Sequence, residues 1–362
     1  MQKLCRRRVL YSGQGKCAAM KKIRVRDAIG MVIPHDLTEI VPGGTKKPAF
    51  KKGHVIREED IPHLERIGKN HIYVMELSPD DLHEDDAARL MAPAFAGPGI
   101  EFDPDPSEGK IAYSAADSGL FRVDVDALFR VNMLGDVMLS TLHSNTVVEK
   151  GGKVAAGRAI PLVVRRSVVR QAVSVARDAG GIISVVPFMI KRGALVITGR
   201  EVYEGRIKDA FGPAMGRKFE KFGIEVVHSE IVPDDRQVIT SSILRAIEKG
   251  AEMVLCTGGM SVDPDDVTRN AIRDAGVTGE VYGSPVLPGA MFMVSFLGKI
   301  PVLGIPACGM FFRTTVLDIV LPRVLAGEKI GRREIAALGH GGFCLGCRKC
   351  SWPVCPFGKG GV

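Results

Sequence analysis

Four cysteines near the C-terminus have the spacing of a metal-binding segment. Two residues separate Cys344 from Cys347 and Cys347 from Cys350, and Cys355 follows directly before Pro356. Thiolates at such spacing can converge on one metal centre, whereas disulfides are uncommon in reducing compartments. The run is similar to that of bacterial ferredoxins, with one extra residue in the last gap, and the same sulfurs also suit tetrahedral zinc. The sequence therefore predicts a metal centre here, either an iron-sulfur cluster or Zn2+.

A glycine-rich loop in the second half of the chain is suited to a phosphate or an oxygen-rich heterocycle. The segment 257–261 reads Thr-Gly-Gly-Met-Ser and follows an apolar run. Paired glycines let a ligand approach the backbone closely, and the Ser261 hydroxyl lies beside the N–H groups that begin the next helix. Considered alone, Asp263 and Asp266 fit a helix cap around Pro264 at the first helical position. The loop thus predicts a ligand site or, more simply, a helix start.

The elements that must position this loop are strands alternating with amphipathic helices after Arg192. Such alternation implies a parallel sheet with helices on both faces, hence an α/β fold in three layers. Ligands of such sheets bind outside the carboxyl ends of the strands. The three strands are predicted at 193–198, 224–228 and 252–257, and the three helices at 207–222, 239–247 and 264–275.

The rest of the chain predicts a smaller α+β unit and a β-rich domain before the α/β domain. Short apolar runs and one helix at 58–68 indicate the first, and strands at 120–125, 137–141 and 147–154, with an exit helix at 167–179, indicate the second. Met20 resembles an ordinary protein start, which would leave Cys5 and Cys17 without function. The predicted divisions are 1–22, an unstructured or mis-annotated start; 23–77, the α+β unit; 78–191, the mainly β domain; 192–330, the α/β domain; and 331–362, a cysteine-rich metal-binding tail.

Composition excludes several classes of function. The 362 residues are 46% hydrophobic, which suits a globular chain of two or three domains. The net charge of +8 is spread without the interleaved aromatics of single-strand binders, so an anionic ligand is favoured over nucleic acid. No apolar run approaches the roughly 20 residues of a membrane span, and the N-terminus lacks the apolar segment of a secretory signal. We expect a soluble, cytoplasmic protein.

Three motifs give the chain a specific resemblance. Segment 257–261, with Asp266 and Thr268, resembles the Thr/Ser-Gly-Gly-x-Ser...Asp-x-Thr signature of the molybdopterin-binding domain shared by MogA- and MoeA-type proteins and gephyrin. Upstream, segment 198–202 resembles the family's Ser-Thr-Gly-x-Glu-Leu strand end, and segment 232–235 resembles its acidic second loop. The resemblance covers residues 192–328, with a weaker similarity of 52–74 to a MoeA-type element.

The resemblance implies a set of site residues. Molybdopterin would lie in the loops after the strands, and the acidic Asp234 and Asp266 would support Mg2+, while Asp235 and Asp265 would be solvated neighbours. Where the MoeA type has Gly-Leu-Pro-Gly-Asn-Pro, residues 304–309 read Gly-Ile-Pro-Ala-Cys-Gly, so the Asn is missing. The predicted cofactor-binding residues are Thr198, Gly199, Glu201, Thr257, Gly258, Gly259, Ser261 and Pro306.

The resemblance leaves two functions open. One is a MoeA-like molybdopterin molybdotransferase, an enzyme that inserts molybdate into adenylylated molybdopterin with Mg2+. The other is a non-catalytic carrier, chaperone or sensor of the cofactor, which the altered loop around Cys308 favours. Both imply molybdopterin as ligand, a molybdoenzyme as possible recipient and, by the family's layout, a homo-oligomer. A nucleotide-dependent oxidoreductase is excluded because no Gly-x-Gly-x-x-Gly follows a strand. Cys256 is predicted to be a buried strand residue.

Overall fold

The computed structural model describes residues 20–34, 36–39, 47–75, 78–107, 109–261 and 267–360. The candidate Asp266, together with Asp263, Pro264 and Asp265, lies outside the described residues, as do Cys5 and Cys17. The start of the third predicted helix of the α/β domain falls in the same undescribed stretch.

The described residues form strands and helices in the following chain order. The strands are β1 (Met20–Arg24), β2 (Leu37–Glu39), β3 (Lys47–Phe50), β4 (His71–Met75), β5 (Asp81–His83), β6 (Ile100–Phe102), β7 (Lys110–Ala115), β8 (Gly119–Val123), β9 (Val137–Thr141), β10 (Thr146–Val148), β11 (Lys153–Ala159), β12 (Val163–Arg165), β13 (Ile183–Pro187), β14 (Arg192–Thr198), β15 (Glu225–Val232), β16 (Met253–Thr257), β17 (Thr278–Tyr282), β18 (Met293–Leu297) and β19 (Ile300–Ile305). The α-helices are α1 (Ile61–Arg66), α2 (Glu84–Phe95), α3 (Val125–Asn132), α4 (Arg166–Asp178), α5 (Arg200–Tyr203), α6 (Phe211–Lys221), α7 (Arg236–Glu248), α8 (Thr268–Asp274), α9 (Cys308–Phe311), α10 (Val316–Leu325) and α11 (Arg332–Ala337).

The first part of the chain is a small α+β arrangement. Strands β1 and β4 pair antiparallel, and so do β2 and β3. Its buried core includes Val25, Ile33, Leu64 and Val74. The helix expected at 58–68 consists of a short 3-10 turn followed by α1, so the end of the sequence pattern is a turn rather than helix.

The middle of the chain combines strands with three helices. One sheet has the order β6-β7-β11-β9, a second has the order β10-β8-β13, and β5 pairs with β12. Phe95 of α2, Val131 of α3 and Ala172 of α4 are buried against Tyr113 and Phe121. The exit helix is α4, whereas α2 and α3 were not predicted. The strand expected at 147–154 is two strands, β10 and β11, separated by a turn.

The second half of the chain is built on a six-stranded sheet of order β15-β14-β16-β19-β18-β17. Strands β14, β15, β16 and β19 are parallel, while β18 runs antiparallel to both β19 and β17. Alternate residues of β14 face opposite layers: Leu195 and Ile197 pack with α6 and α10, and Ala194 and Val196 pack with α7 and α8. This confirms the three-layer α/β fold, with an antiparallel hairpin at one side that the sequence pattern did not indicate.

The C-terminal segment packs on the same domain. Ile335, Leu338 and Phe357 are buried in the core beneath the sheet, and the Phe357 side chain is only 4% exposed. Trp352 is partly buried against the same core. Apolar contacts therefore hold the predicted cysteine-rich tail to the α/β domain. None of the helices in the described ranges is long and apolar enough to cross a membrane.

Candidate functional site

The candidate site lies at the edge of the six-stranded sheet where its parallel strands end. Strand β14 ends at Thr198, β15 at Val232, β16 at Thr257 and β19 at Ile305. Because these strands are parallel, the loops that follow them open on the same edge. The sequence motifs at three of these ends are therefore brought to one side of the domain, as the α/β pattern predicts.

The glycine loop after β16 has a backbone that only glycine adopts easily. Gly258 and Gly259 have φ values of +84° and +55°. A Cβ atom on Gly258 would lie 2.6 Å from the carbonyl oxygen of Thr198, and one on Gly259 would collide with the Thr268 hydroxyl. The loop thus passes tightly over the end of β14, and its glycines are required by space as well as by conformation.

Buried hydroxyl groups connect the strand ends below this loop. The Thr198 hydroxyl donates a hydrogen bond of 2.9 Å to the carbonyl of Thr257 and lies 3.1 Å from the hydroxyl of Thr268. The Thr257 hydroxyl is fully buried and has no hydrogen-bond partner in the described part of the chain. Thr198 and Thr257 therefore support the loop from beneath and do not line the cavity above it.

A cavity of about 380 Å3 opens above the glycine loop. One wall is formed by residues 258–261 and a second by the loop after β19. The third wall, residues 287–291, was not predicted. Its only sequence signal is the Pro288-Gly289 dipeptide, which is typical of a turn and says nothing about a ligand. The lining residues are Gly258, Gly259, Met260, Ser261, Leu287, Pro288, Gly289, Ala290, Met291, Pro306, Ala307 and Cys308.

Met260 is held in the cavity wall by contacts to its backbone and its side chain. The Tyr282 hydroxyl donates a hydrogen bond of 2.7 Å to the Met260 carbonyl, and the Arg269 guanidinium lies 3.9 Å from the centre of the Tyr282 ring. A side chain at Gly304 would collide with the Met260 thioether. Gly304 of β19 therefore makes room for the residue that separates the glycine pair from Ser261.

Asp234 connects two of the loops without lining the cavity. Its carboxylate accepts a hydrogen bond of 2.7 Å from the backbone N–H of Arg200, at the start of α5. The neighbouring Asp235 is not simply solvated as expected, because its carboxylate accepts from the N–H groups of Gln237 and Val238 and caps α7. The side chain of Glu201 is exposed to solvent.

The predicted cofactor-binding residues therefore divide into groups. Gly258, Gly259, Ser261 and Pro306 line the cavity. Thr198, Gly199, Glu201, Thr257 and the candidate Asp234 do not, although they lie in or beside the loops at the same sheet edge.

Two cysteines of the α/β domain are neutral thiols. Cys256 is fully buried in β16, as predicted, and burial raises its pKa to about 12. Cys308 begins α9 and lines the cavity, and there burial also raises the thiol pKa. A thiol rather than a thiolate thus occupies the position where the resemblance implies Asn.

The four C-terminal cysteines do not form a common centre. Across the described ranges, no group of three or more His, Cys, Asp or Glu side chains is arranged to hold a metal ion. Cys344 and Cys355 pack against the core, Cys347 is exposed, and the Cys350 sulfur lies 3.3 Å from the Thr314 hydroxyl. The predicted iron-sulfur cluster or zinc site at Cys344, Cys347, Cys350 and Cys355 therefore has no support from this arrangement.

Two parts of the chain match known families. Residues 194–326 match the family described as a probable molybdopterin binding domain, which confirms the resemblance predicted from the three loop motifs. Residues 22–76 match a family described only as a domain of unknown function.

Individual relatives cover limited parts of the chain. A CinA-like protein of Fervidobacterium nodosum is 30% identical over 83 residues, which are 23% of this chain and 20% of that protein. The chain thus spans about a fifth of the length of the curated relatives it matches. A solved structure of the molybdopterin biosynthesis enzyme MoaB from Thermus thermophilus is 23% identical with a TM-score of 0.33, covering 39% of this chain and 98% of that one. A molybdopterin biosynthesis MoeA protein from Pyrococcus horikoshii is 14% identical with a TM-score of 0.32, covering 85% and 75%.

Proposed function

We propose, from the premise that residues 194–326 are a probable molybdopterin binding domain, that this chain binds molybdopterin in the cavity at the sheet edge and acts in molybdenum cofactor biosynthesis. The observation that supports this most is the cavity of about 380 Å3, because the glycine loop of the family motif forms one of its walls. Backbone near Gly258 and Gly259 is open to close approach, as a phosphate-bearing ligand requires.

The two kinds of lining suit the two ends of such a ligand. The Ser261 hydroxyl and the glycine backbone are polar and would contact the phosphate. Leu287, Pro288 and Met291, on another wall, are apolar and would pack against the flat pterin. A mostly apolar cavity with a few polar groups at one side is the usual form of a small-molecule site.

Mg2+ chemistry would depend on Asp234 at this edge and, by the family motif, on Asp266. Mg2+ keeps several waters and is usually held by one or two carboxylates plus substrate phosphate, so it needs no cluster of protein ligands. Asp234 already accepts one hydrogen bond from Arg200, which fixes its carboxylate at the loop while leaving further lone pairs. When bound, the metal would neutralise phosphate charge during insertion of molybdate into adenylylated molybdopterin. Asp234 would orient it, and the walls would exclude water.

A second candidate is a non-catalytic carrier, chaperone or sensor of the cofactor. The observation that favours it is the loop after β19, where Cys308 lines the cavity with a raised thiol pKa. A neutral thiol is a weak hydrogen-bond donor and acceptor, so it cannot replace the amide that the resemblance implies. Binding could then persist while chemistry is lost.

The test combines binding and turnover. Equilibrium binding of molybdopterin is compared between the wild type, Ser261→Ala and the control Ser241→Ala, which alters an exposed serine of α7 that does not line the cavity. We expect Ser261→Ala to weaken binding about 10- to 100-fold, the effect of one hydrogen bond to a charged group, with no effect of Ser241→Ala. A molybdate-insertion assay on the same proteins separates the enzyme from the carrier. Absence of binding by the wild type would refute both.

A further inference from the structure

A second cavity, of about 510 Å3, lies between α6, the segment after α9 and the C-terminal tail. It is separate from the first cavity: Cys308, at the start of α9, lines the first, and Phe311, at its end, lines the second. Four cationic side chains line it. They are Arg217, Lys218 and Lys221 of α6, and Arg313.

Most of this positive charge is not neutralised. The Lys218 ammonium lies 2.5 Å from a carboxylate oxygen of Asp318, and both side chains are largely buried, so this pair cancels itself. Within the described ranges, no ion pair involves Arg217, Lys221 or Arg313. Three like charges around one cavity repel each other, and an anionic ligand would remove that repulsion.

The tail supplies the remaining wall. The Lys221 ammonium lies 5.1 Å from the centre of the Trp352 ring, which contributes an aromatic surface to the cavity. Cys350 lines it as well, and its sulfur lies 3.3 Å from the Thr314 hydroxyl.

We propose that this cavity binds a ligand with a diphosphate or longer phosphate chain, and that the C-terminal tail completes the site. Arginine forks pair well with phosphate oxygens, and the unpaired charges of Arg217, Lys221 and Arg313 match a ligand with two or more negative charges better than a single carboxylate. The proposal does not depend on the function of the first cavity. Inorganic pyrophosphate and a nucleoside diphosphate share this chemistry.

Trp352 provides a direct readout, because it is the only tryptophan of the chain. Pyrophosphate is titrated into the full-length protein while Trp352 fluorescence is followed, and ADP is titrated by calorimetry. The variant is Arg217→Gln with Arg313→Gln, since both side chains are exposed and their replacement leaves packing intact. The matched control is Arg348→Gln with Lys349→Gln, which removes two exposed charges of the tail that do not line the cavity.

We expect saturable pyrophosphate binding that weakens with added salt and becomes at least about tenfold weaker in the Arg217 and Arg313 variant. The Arg348 and Lys349 control should bind like the wild type. Tighter binding of ADP than of pyrophosphate would identify a nucleotide, and equal binding would identify an inorganic polyphosphate. A wild type without saturable response to either compound would overturn the proposal. An equal loss of affinity in the Arg348 and Lys349 control would also overturn the proposal, because the binding would then depend only on the overall positive charge of the protein.

Discussion

The hydroxyl of Thr198 donates a hydrogen bond of 2.9 Å to the carbonyl of Thr257, so the ends of β14 and β16 are tied together directly beneath the glycine loop. Both residues are buried, and a Cβ on Gly258 would touch this same Thr198. The loop that lines the candidate cavity is therefore supported by a polar contact between residues 59 positions apart.

Replacing Thr198 with valine should loosen this support. Thr198→Val keeps the shape of the side chain but leaves the Thr257 carbonyl without its buried donor, and we expect a loss of about 1–3 kcal/mol in the free energy of unfolding. Denaturant unfolding measures the loss. Thr278→Val is the control, because the Thr278 hydroxyl makes a longer, 3.4 Å bond on strand β17. Equal losses of unfolding free energy in the two variants would show that the buried contact below the loop stabilises the fold no more than the longer hydrogen bond of Thr278.

Substitution of Asp234 distinguishes a purely structural role of its carboxylate from a role in Mg2+-dependent chemistry. Asp234→Asn retains an oxygen that can accept from the Arg200 N–H, so we expect the melting temperature to change little. Mg2+-dependent molybdate insertion should collapse, because the amide carries no charge for the metal. Asp235→Asn, at the cap of α7, is the matched control and should retain turnover. If Asp234→Asn turns over like the wild type, the metal role of Asp234 is wrong.

The contact between the middle of the chain and the α/β domain should depend on pH. Two opposing effects act on the carboxyl pKa of Glu328. Partial burial raises it, and the guanidinium groups of Arg323 and Arg122 lower it by more, so the net pKa shift is downward. Arg122 belongs to β8, 3.0 Å from Glu328, and Arg323 to α10. A depressed folded-state pKa means that the contribution to stability is present above the ordinary carboxyl pKa and is lost as pH falls through the folded value.

Unfolding free energies of the wild type and Glu328→Gln, measured between about pH 6 and pH 3, test this. The two curves should converge as the pH falls, because protonation of Glu328 removes the same carboxylate charge that the substitution to glutamine removes. Glu201→Gln, which changes an exposed carboxylate, should run parallel to the wild type throughout. Curves of Glu328→Gln and wild type that stay a constant distance apart would contradict the account.

Packing rather than metal should hold the C-terminal tail. Phe357→Ala removes a side chain that is 4% exposed in the core, and we expect a loss of about 3–5 kcal/mol in unfolding free energy. Cys347→Ser changes an exposed thiol and should alter neither stability nor metal content. The opposite result would be near-stoichiometric iron or zinc in protein purified without air, with both the metal and the stability lost in Cys347→Ser. That result would support the predicted metal centre after all.

The sequence pattern predicted the elements whose residues repeat with a regular period. Ile239 and Ile243 recur at four-residue steps and are buried on α7, and the apolar run ending at Thr257 is the buried strand β16. The glycine pair was predicted as part of a ligand loop and lines the cavity. These are local signals, and they were sufficient for the α/β fold and for one wall of the site.

The remaining features depend on contacts between distant segments. Leu287 to Met291 line the cavity only because β17 and β18 bring their connecting loop to the same edge, which no local period reveals. Phe357 is isolated in a glycine- and cysteine-rich segment, so its burial could not be expected from its neighbours. The spacing of Cys344, Cys347 and Cys350 predicted convergence on a metal, but attachment of the segment to the core decides where the thiols lie.

Pterin bound per chain, measured on purified protein with and without a blocked cavity, tests the central claim most directly. Ala307 is exposed and lines the cavity, so Ala307→Trp should fill it without disturbing the core. Ala337→Trp adds the same bulk at an exposed position of α11 away from the lining. We predict about one molybdopterin per chain for the wild type and for Ala337→Trp at saturation, and none for Ala307→Trp. Undiminished binding by Ala307→Trp, or no binding by the wild type, would contradict molybdopterin binding in this cavity.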